Sequence, residues 1–250
     1  MVARGTPLPD KLHHDAIVEA LLEIQFETDT LPERFIGRIT DEKSWKTLPQ
    51  LRLPAYDMPP VLRLAELRFR YMPIIQVSET GDEPRALRIG PNVLSYHRTK
   101  KYIGWNRFKP ELEKVIDLLF NSTEALRVTR LGLRYLNALT PESHGIDSID
   151  DLDMVVNVAS DQLHGNVNLN YNVELGQIGL CTVRVATHEF VQGPLPQNTS
   201  AYIDIDVFTT PGFTCTGARD VKTWLEGAHT QEKVEFFHLL TLTTIDALKE

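Results

Sequence analysis

The chain has few cysteines, and this scarcity excludes several classes of protein. Its 250 residues contain only Cys181 and Cys215, which are too few for a disulfide-stabilised scaffold and do not form a CxxC pair. Isolated thiols of this kind are typical of proteins in a reducing compartment. We therefore expect a cytoplasmic protein in which both thiols are chemically inert.

Long apolar runs are also absent from the sequence. No stretch approaches the roughly 18 consecutive apolar residues that a membrane-spanning helix needs. The N-terminal segment MVARGTPLPDKLHHD contains no apolar core of the kind found in secretory signals. Both absences favour a soluble protein with no membrane partner.

Positive charge is in deficit. The chain has 26 Lys and Arg against 34 Asp and Glu, a formal net charge of −8, which argues against broad binding to nucleic acid or anionic membranes. The most basic stretch is 98–109, where Arg98, Lys100, Lys101, Arg107 and Lys109 accompany Tyr102, Trp105 and Phe108. We expect these aromatic residues to anchor a helix start. Nucleic-acid contact through 98–109 is kept as a weaker alternative.

Motifs of known catalytic or metal-binding sites are missing as well. The sequence has no Walker A loop, GxGxxG, HExxH, GxSxG or EF-hand loop, and neither cysteine has a catalytic signature. Asp204 and Asp206 lie two apart on one predicted strand face, but no recognisable motif surrounds them. The sequence therefore predicts no metal site and no cofactor, and it gives no support to enzymatic activity.

What the sequence does contain is two similar strands. Residues 17–26 read IVEALLEIQF and residues 128–137 read VTRLGLRYLN. Aligned without a gap, they place Glu19 opposite Arg130 and Glu23 opposite Arg134. We interpret this as a duplicated fold in which these four charges form structural pairs across a central junction. A Glu19→Arg, Arg130→Glu double exchange should then restore stability that either change alone removes.

The order of predicted elements agrees with two halves. In the first half, strands at 61–71, 74–79, 85–90 and 93–98 follow the strand at 17–27 and a helix after Thr30, and a further helix begins near Pro110. In the second half, the strand at 126–138 and a short helix precede strands at 166–175, 179–190 and 201–209, and the last forty residues are mostly helical.

These elements predict an α+β fold of two pseudo-equivalent β-α-β(3–4)-α halves with an antiparallel sheet and helices on one face. The halves are about 13–122 and 123–250, and no glycine-rich or serine-rich linker separates them, so 1–250 is expected to be a single structural unit. By topology this arrangement resembles the duplicated fold of the TATA-binding protein. The likeness implies no DNA-binding function for so acidic a chain.

The second half has strands that alternate between apolar and polar side chains. In 166–175, for example, asparagines occupy every second position. If these strands are neighbours, one sheet face collects polar groups that are candidates for binding a ligand or a protein partner: Arg130, Arg134, Asn168, Asn170, Arg184, His188, Asp204 and Asp206. The alternative is a solvated face with cross-strand ion pairs, each worth about 1 kcal/mol or less.

Several segments together resemble a known family. They are AIVEALLEIQF at 16–26, Tyr102-x-x-Trp105-x-x-Phe108, RLGLRYLN at 130–137, Asp204-Ile205-Asp206, and Phe237 followed by Leu242-Thr243. They are similar to a sporadically distributed family of uncharacterised bacterial and archaeal proteins with the patterns PIVEAxxEIRF, YxxWxxF, RIGLRYIN and a C-terminal F…ITD. The chain departs from these patterns at Ala16, Gln25 and Thr244. The family's patchy distribution implies carriage on mobile or defence-related gene islands.

These observations lead to three hypotheses about function. The first is a cytoplasmic binding or interaction protein, part of a bacterial defence or toxin–antitoxin system, with a protein partner or a second copy of itself. The second is a sensor or enzyme that holds a small anionic ligand on the polar sheet face. The third is the nucleic-acid contact through 98–109.

Overall fold

A computed structural model of the protein describes residues 8–9, 12–193 and 195–248. Most of the N-terminal segment that lacks a signal-like core lies outside these residues. The protein is a mixed α and β structure that contains a large antiparallel sheet of nine strands, in the order β2-β3-β4-β5-β1-β6-β11-β10-β9. A separate hairpin pairs β7 with β8.

The strands have the following bounds: β1 Ile17–Glu27, β2 Gln50–Arg52, β3 Ile75–Glu79, β4 Arg85–Gly90, β5 Val93–Thr99, β6 Arg127–Leu139, β7 Asn157–Val158, β8 Asp161–Gln162, β9 Asn168–Glu174, β10 Leu180–Ala186 and β11 Ala201–Phe208. The α-helices are α1 Pro32–Thr40, α2 Pro60–Ala65, α3 Leu67–Arg70, α4 Trp105–Ser122, α5 Pro141–His144, α6 Ala218–His238 and α7 Leu242–Leu248. Short 3₁₀ helices occupy Pro54–Asp57, Ile149–Asp151 and His188–Phe190. None of the helices in the described part of the chain is long and apolar enough to cross a membrane.

Most predicted elements are present, but the strand predicted at 61–71 is wrong. This segment forms the two short helices α2 and α3, separated at Glu66, whose backbone is extended. Pro60 occupies the first helical position, where its fixed φ and missing N–H favour a helix. The residues that follow, LRLAELRFR, are mostly good helix formers, and their intrinsic preference prevails over the apparent alternation.

Alternation along β1 explains why it becomes a central strand. Ala20, Leu22, Ile24 and Phe26 are each at most 1 % exposed, whereas the residues between them are half-buried. Because successive side chains of a strand point to opposite faces, this pattern commits one face of β1 to the core. A shift of the register by one residue would bring the glutamates Glu19 and Glu23 into the core instead.

The described residues group into two compact units. One consists of Ala20–Leu133 and Phe208–Glu226 and contains β2 to β5 with α1 to α4. In this unit Phe35 of α1 meets Phe26 of β1 edge-on at 5.2 Å, and Phe108 of α4 stacks on Tyr96 of β5 at 6.1 Å. Aromatic contacts of this kind fix the helices against the strands.

The other unit consists of Arg134–Val207 with the described residues before Ala20 and after Glu226. It contains β7 to β11, α5, α7 and the larger part of α6. Tyr135 of β6 packs against His229 of α6, with ring centroids 6.1 Å apart. Gly227 lets α6 approach the 176–179 turn closely, since an added Cβ would lie 2.4 Å from Ile178 Cδ1.

Glu232 of α6 is a buried carboxyl, only 5 % exposed. Burial raises its pKa well above the ordinary value of 4.5, and the charge of Asp15 adds to the effect. In the unfolded chain this carboxyl ionises near its ordinary pKa. Between that pH and the folded pKa the native state therefore binds more protons, and stability falls as the pH rises.

We predict that Glu232→Gln weakens this pH dependence. Glutamine is neutral throughout, so the variant should be more stable than the wild type near pH 7 and should lose this advantage toward pH 4. One proton changes the free energy of unfolding by at most about 1.4 kcal/mol per pH unit. Urea denaturation at several pH values measures the effect, and Asp246→Asn, at an exposed carboxyl, is the control. If the free energy of unfolding of Glu232→Gln changes with pH as steeply as that of the wild type, the prediction is contradicted.

Candidate functional site

The candidate site is the polar side of the strands β9, β10 and β11 together with Arg134 of β6, all within one compact unit. We call this surface the polar face. Its members project from alternate positions of each strand, as the sequence pattern predicts. They are Asn168, Asn170, Asn172, Thr182, Arg184, Tyr202, Asp204, Asp206 and Arg134.

Strand β9 shows the alternation most clearly. Asn168, Asn170 and Asn172 are exposed, and the residues between them are half-buried. Two of these asparagines are tied to β10: Thr182 Oγ1 donates to Asn172 Oδ1 at 2.8 Å, and Arg184 Nε donates to Asn168 Oδ1 at 2.9 Å. Cross-strand bonds of this kind hold the side chains in fixed positions.

The backbone of β9 also has a defined orientation. Leu175 N–H donates to Gly179 O and Thr187 N–H donates to Val167 O, each at 2.9 Å, at the two ends of the β9–β10 register. Hydrogen-bonded and non-hydrogen-bonded residue pairs alternate along an antiparallel ladder. Every second residue of β9 between these two ends therefore bonds to β10 through its backbone. The remaining N–H and C=O groups, those of Asn168, Asn170 and Asn172, point away from β10. Because β9 is the last strand in the sheet order, these groups face the sheet edge.

Arg134 and Asp204 form the strongest polar contact of the face. The guanidinium donates through Nε and Nη2 to the two carboxylate oxygens at 2.7 and 2.6 Å. Asp204 is only 5 % exposed, so the fork supplies hydrogen bonds that its carboxylate cannot take from water. Hydrogen bonding to Asp204 raises the pKa of Arg134, although burial opposes the effect.

Arg184 has its own set of partners. Besides the bond to Asn168, its Nη2 donates to the carbonyl of Phe190 at 2.7 Å, and the guanidinium lies 5.9 Å from the ring centroid of Tyr202. Tyr202 is 3 % exposed, and burial with the nearby Asp204 charge raises the pKa of its hydroxyl. Tyr202 was not among the predicted site residues. Tyr202 shares the alternate positions of β11 with Asp204 and Asp206, and this spacing is the sequence signal that places it on the polar face.

The remaining predicted residues take less central positions. His188 is exposed, but it begins a 3₁₀ helix beyond the end of β10 instead of continuing the strand. Asn170 is exposed and opposite Arg184 in the register. Asp206 is half-buried on β11. The structure thus brings Arg134 together with Asp204, and Arg184 together with Asn168.

Arg130 belongs to the other compact unit, with Glu23 and Phe208. Its Nη1 lies 3.1 Å from Glu23 Oε1, and its guanidinium carbon lies 4.9 Å from the ring centroid of Phe208. Gly132 makes room for this arrangement, because an added Cβ would lie 2.8 Å from Arg130 Nη1. Residues two apart in a strand share a face, so the sequence places Gly132 next to Arg130 on the same face of β6. Pairing of Glu19 with Arg130 stays a prediction.

The basic stretch 98–109 is largely engaged in ion pairs. Arg98 is bound through two nitrogens to Glu111, Arg107 Nη2 lies 2.7 Å from Glu83, and Lys109 pairs with Glu226. The aromatic residues of this stretch contact one another, since the rings of Tyr102 and Trp105 each meet that of Phe108 edge-on. Both observations give this segment a structural role at the start of α4.

The two thiols are free, and Cys181 is fully buried. Burial raises the pKa of both thiols, a direction that makes the nucleophilic thiolate scarce. Among the described residues, no three His, Cys, Asp or Glu side chains come together as a metal ion would require.

Comparison with known proteins gives no further assignment. No family model and no curated protein matches the chain. The function must therefore be argued from the surfaces themselves.

We predict that Arg134→Met destabilises the protein by about 1–3 kcal/mol, because it removes both hydrogen bonds from the buried Asp204 carboxylate. The double variant Arg134→Met, Asp204→Leu should recover most of this loss, since no buried charge then remains unpaired. Urea denaturation measures both free energies of unfolding. No recovery in the double variant would contradict this account.

Arg130→Met is the matched control. The side chains of Arg130 and Glu23 are 28 % and 30 % exposed, so water can replace the lost contact. We expect this variant to cost less than about 1 kcal/mol. A loss as large as that of Arg134→Met would show that burial of the partner is not what makes the Arg134 fork important.

Proposed function

We propose that the chain is a cytoplasmic interaction protein that binds a protein partner by adding a strand to the edge strand β9. The observation that carries the proposal is the orientation of β9: its outward N–H and C=O groups belong to exposed residues at the end of the sheet. Such groups are a template for an extended segment of another chain.

The contrast between the two sheet edges supports β9 as the binding edge. β2 lies at the opposite end of the strand order and has only three residues, and very short edge strands are one way to prevent pairing. β9 has seven residues, NLNYNVE, without lysine or proline. It therefore lacks two of the residues that commonly protect a sheet edge from other strands.

The polar face adds a means of specificity. Strand addition takes affinity from main-chain hydrogen bonds and selectivity from side chains beside the edge. Asn168, Asn170 and Asn172 supply amide donors and acceptors at every second position. We infer that a partner strand with polar side chains on the same face is preferred. The partner is either another protein or a second copy of this chain.

The alternative of a small anionic ligand on the polar face has less support. Arg134 is bound to Asp204, and Arg184 to Asn168 and Phe190, so an anion would have to compete with acceptors that these guanidiniums already have. Nucleic-acid contact through 98–109 faces a similar obstacle, because Arg98, Arg107 and Lys109 are already paired.

We also propose that the fold is a duplication with the topology of the TATA-binding protein, with halves of about 13–122 and 123–250 in one structural unit and helices on one face. The strand order supports this idea. β1 and β6, the first strands of the halves, are adjacent, and each is followed outward by the last strands of its own half, β5-β4-β3 and β11-β10-β9. This is the order that a pseudo-twofold axis between β1 and β6 would produce.

A role in a bacterial defence or toxin–antitoxin system is the biological setting we propose. It is supported by the motif resemblance and by the interaction surface described above. The identity of the adjacent genes tests it: recurrent neighbours of defence systems support the setting, and unrelated neighbours in different genomes remove its basis.

We predict that Asn170→Pro strongly weakens partner binding without unfolding the protein. Proline removes one outward N–H and leaves the bonds to β10 intact, because position 170 does not bond to β10. Capture of the partner on the immobilised protein, quantified by mass spectrometry, should fall about tenfold or more. Size-exclusion chromatography of the purified protein tests pairing between two copies in the same way.

Asn170→Thr is the control variant. It removes the amide side chain but keeps the backbone N–H and suits a strand, so binding should persist. Equal binding by Asn170→Pro and the wild type would rule out the β9 edge. The proposal also fails if the wild-type protein neither captures a stoichiometric partner nor associates with itself.

A further inference from the structure

We propose that the partner of the β9 edge is a second copy of this chain, paired with the first as β9 against β9 in the antiparallel direction. The inference rests on the proposed strand addition and names its partner. It places Tyr171 on a twofold axis, opposite Tyr171 of the second copy. Two observations support it: the self-complementary order of side chains along β9, and the unused polar groups at the two ends of this strand.

The outward backbone groups of β9 suit antiparallel pairing about the midpoint of the strand. β9 runs from Asn168 to Glu174, and Tyr171 is its central residue. Outward N–H and C=O groups belong to Asn168, Asn170, Asn172 and, by the same alternation, Glu174. A twofold axis at Tyr171 sets Asn168 opposite Glu174 of the second copy, and Asn170 opposite Asn172. Each such pair exchanges two backbone hydrogen bonds, so the outward groups of all four residues are used.

The side chains on the less polar face of β9 match in the same register. Tyr171 meets its own counterpart, and Leu169 lies opposite Val173 of the second copy. All three side chains are half-buried in the single chain, so part of each is still open to a neighbour. Aromatic pairs directly opposite each other stabilise a sheet, and an aliphatic pair removes further apolar surface from water.

The two ends of β9 carry polar groups of opposite character. Glu174 is exposed, and its carboxylate forms no hydrogen bond or ion pair with the described residues. At the other end, Asn168 Oδ1 accepts from Arg184 Nε at 2.9 Å, whereas Asn168 Nδ2 has no acceptor within the described ranges. The proposed register brings Glu174 of the second copy to Asn168, beside Arg184. A carboxylate then meets amide donors and a positive charge, and the twofold axis repeats this contact.

The charge of β9 favours this antiparallel arrangement. The chain has a formal net charge of −8, so two copies repel each other overall. Glu174 is the only charged residue in the β9 sequence NLNYNVE, and the antiparallel register keeps the two Glu174 side chains at opposite ends of the paired strands. Parallel pairing in register would set them side by side, and like charges directly opposite each other destabilise a sheet.

Sedimentation equilibrium of the purified chain measures the pairing. Contacts confined to one pair of strands form a small interface, and small interfaces bind weakly. We expect a reversible dimer with a Kd of about 100 µM or tighter. A chain that remains monomeric up to about 500 µM would overturn the inference, because most of it would be dimeric at that Kd.

Glu174→Lys should weaken the dimer about fivefold or more, because it places a positive charge at position 174 beside Arg184 of the second copy. Asp82→Lys is the matched control. It changes the net charge by the same amount, but Asp82 is exposed between β3 and β4, in the other compact unit. The control should dimerise at least as tightly as the wild type. Equal dissociation constants for the two variants would contradict the proposed register.

Disulfide trapping tests the register directly. Asn170→Cys and Asn172→Cys are mixed under mild oxidation, and one of them carries an affinity tag. Positions 170 and 172 of the two copies lie opposite each other, with Cα atoms about 5.5 Å apart, which suits a disulfide. Identical positions lie about 9 Å apart, beyond the reach of about 7 Å. The mixture should therefore form a disulfide dimer, and neither variant alone should do so.

The wild type, which retains Cys181 and Cys215, measures the background of this trapping experiment. Equal yields from the mixture and from each variant alone would overturn the register.

These measurements separate the inference from the proposed function. A monomeric wild type that captures another protein, with capture lost in Asn170→Pro, would overturn the second copy as partner and leave the β9 edge as a binding site. A dimer that neither Asn170→Pro nor Glu174→Lys weakens forms through another surface, and this result would overturn the inference as well. A chain with no partner and no self-association would contradict both.

Discussion

The constraint on which the structure depends is the two-residue period of its strands. Burial of Ala20, Leu22, Ile24 and Phe26 fixes which face of β1 meets the core, and the same alternation on β9 exposes three asparagines. The pairing register of the strands and the polarity of each sheet face are thereby determined together. The β9 edge is a consequence of this constraint, since its outward backbone groups belong to the residues whose side chains are exposed.

Burial of the acidic partner decides how much an ion pair stabilises the fold. Asp204 is buried, and its two oxygens accept both bonds of the Arg134 fork, so this pair stabilises the fold. Arg130 and Glu23 are the contrasting case, because their side chains are 28 % and 30 % exposed and water solvates both charges.

Local patterns predicted much of the sheet but not the contacts between distant residues. The strand at 17–27 and the one at 85–90 have the predicted bounds, because alternation and turn residues act locally. The helices at 60–70 were missed, since an apparent alternation concealed good helix formers after Pro60. The fork of Arg134 to Asp204 joins residues 70 positions apart, and no single-sequence pattern specifies such a partner.

The measurement that tests the β9 edge most directly is amide hydrogen exchange, followed residue by residue by NMR. The account predicts that the amides of Leu169, Tyr171 and Val173 exchange slowly in the isolated protein, whereas those of Asn168, Asn170 and Asn172 exchange fast and become protected when a partner binds. Fast exchange that persists in the partner complex, or protection of the asparagine amides that is independent of partner and protein concentration, would contradict it.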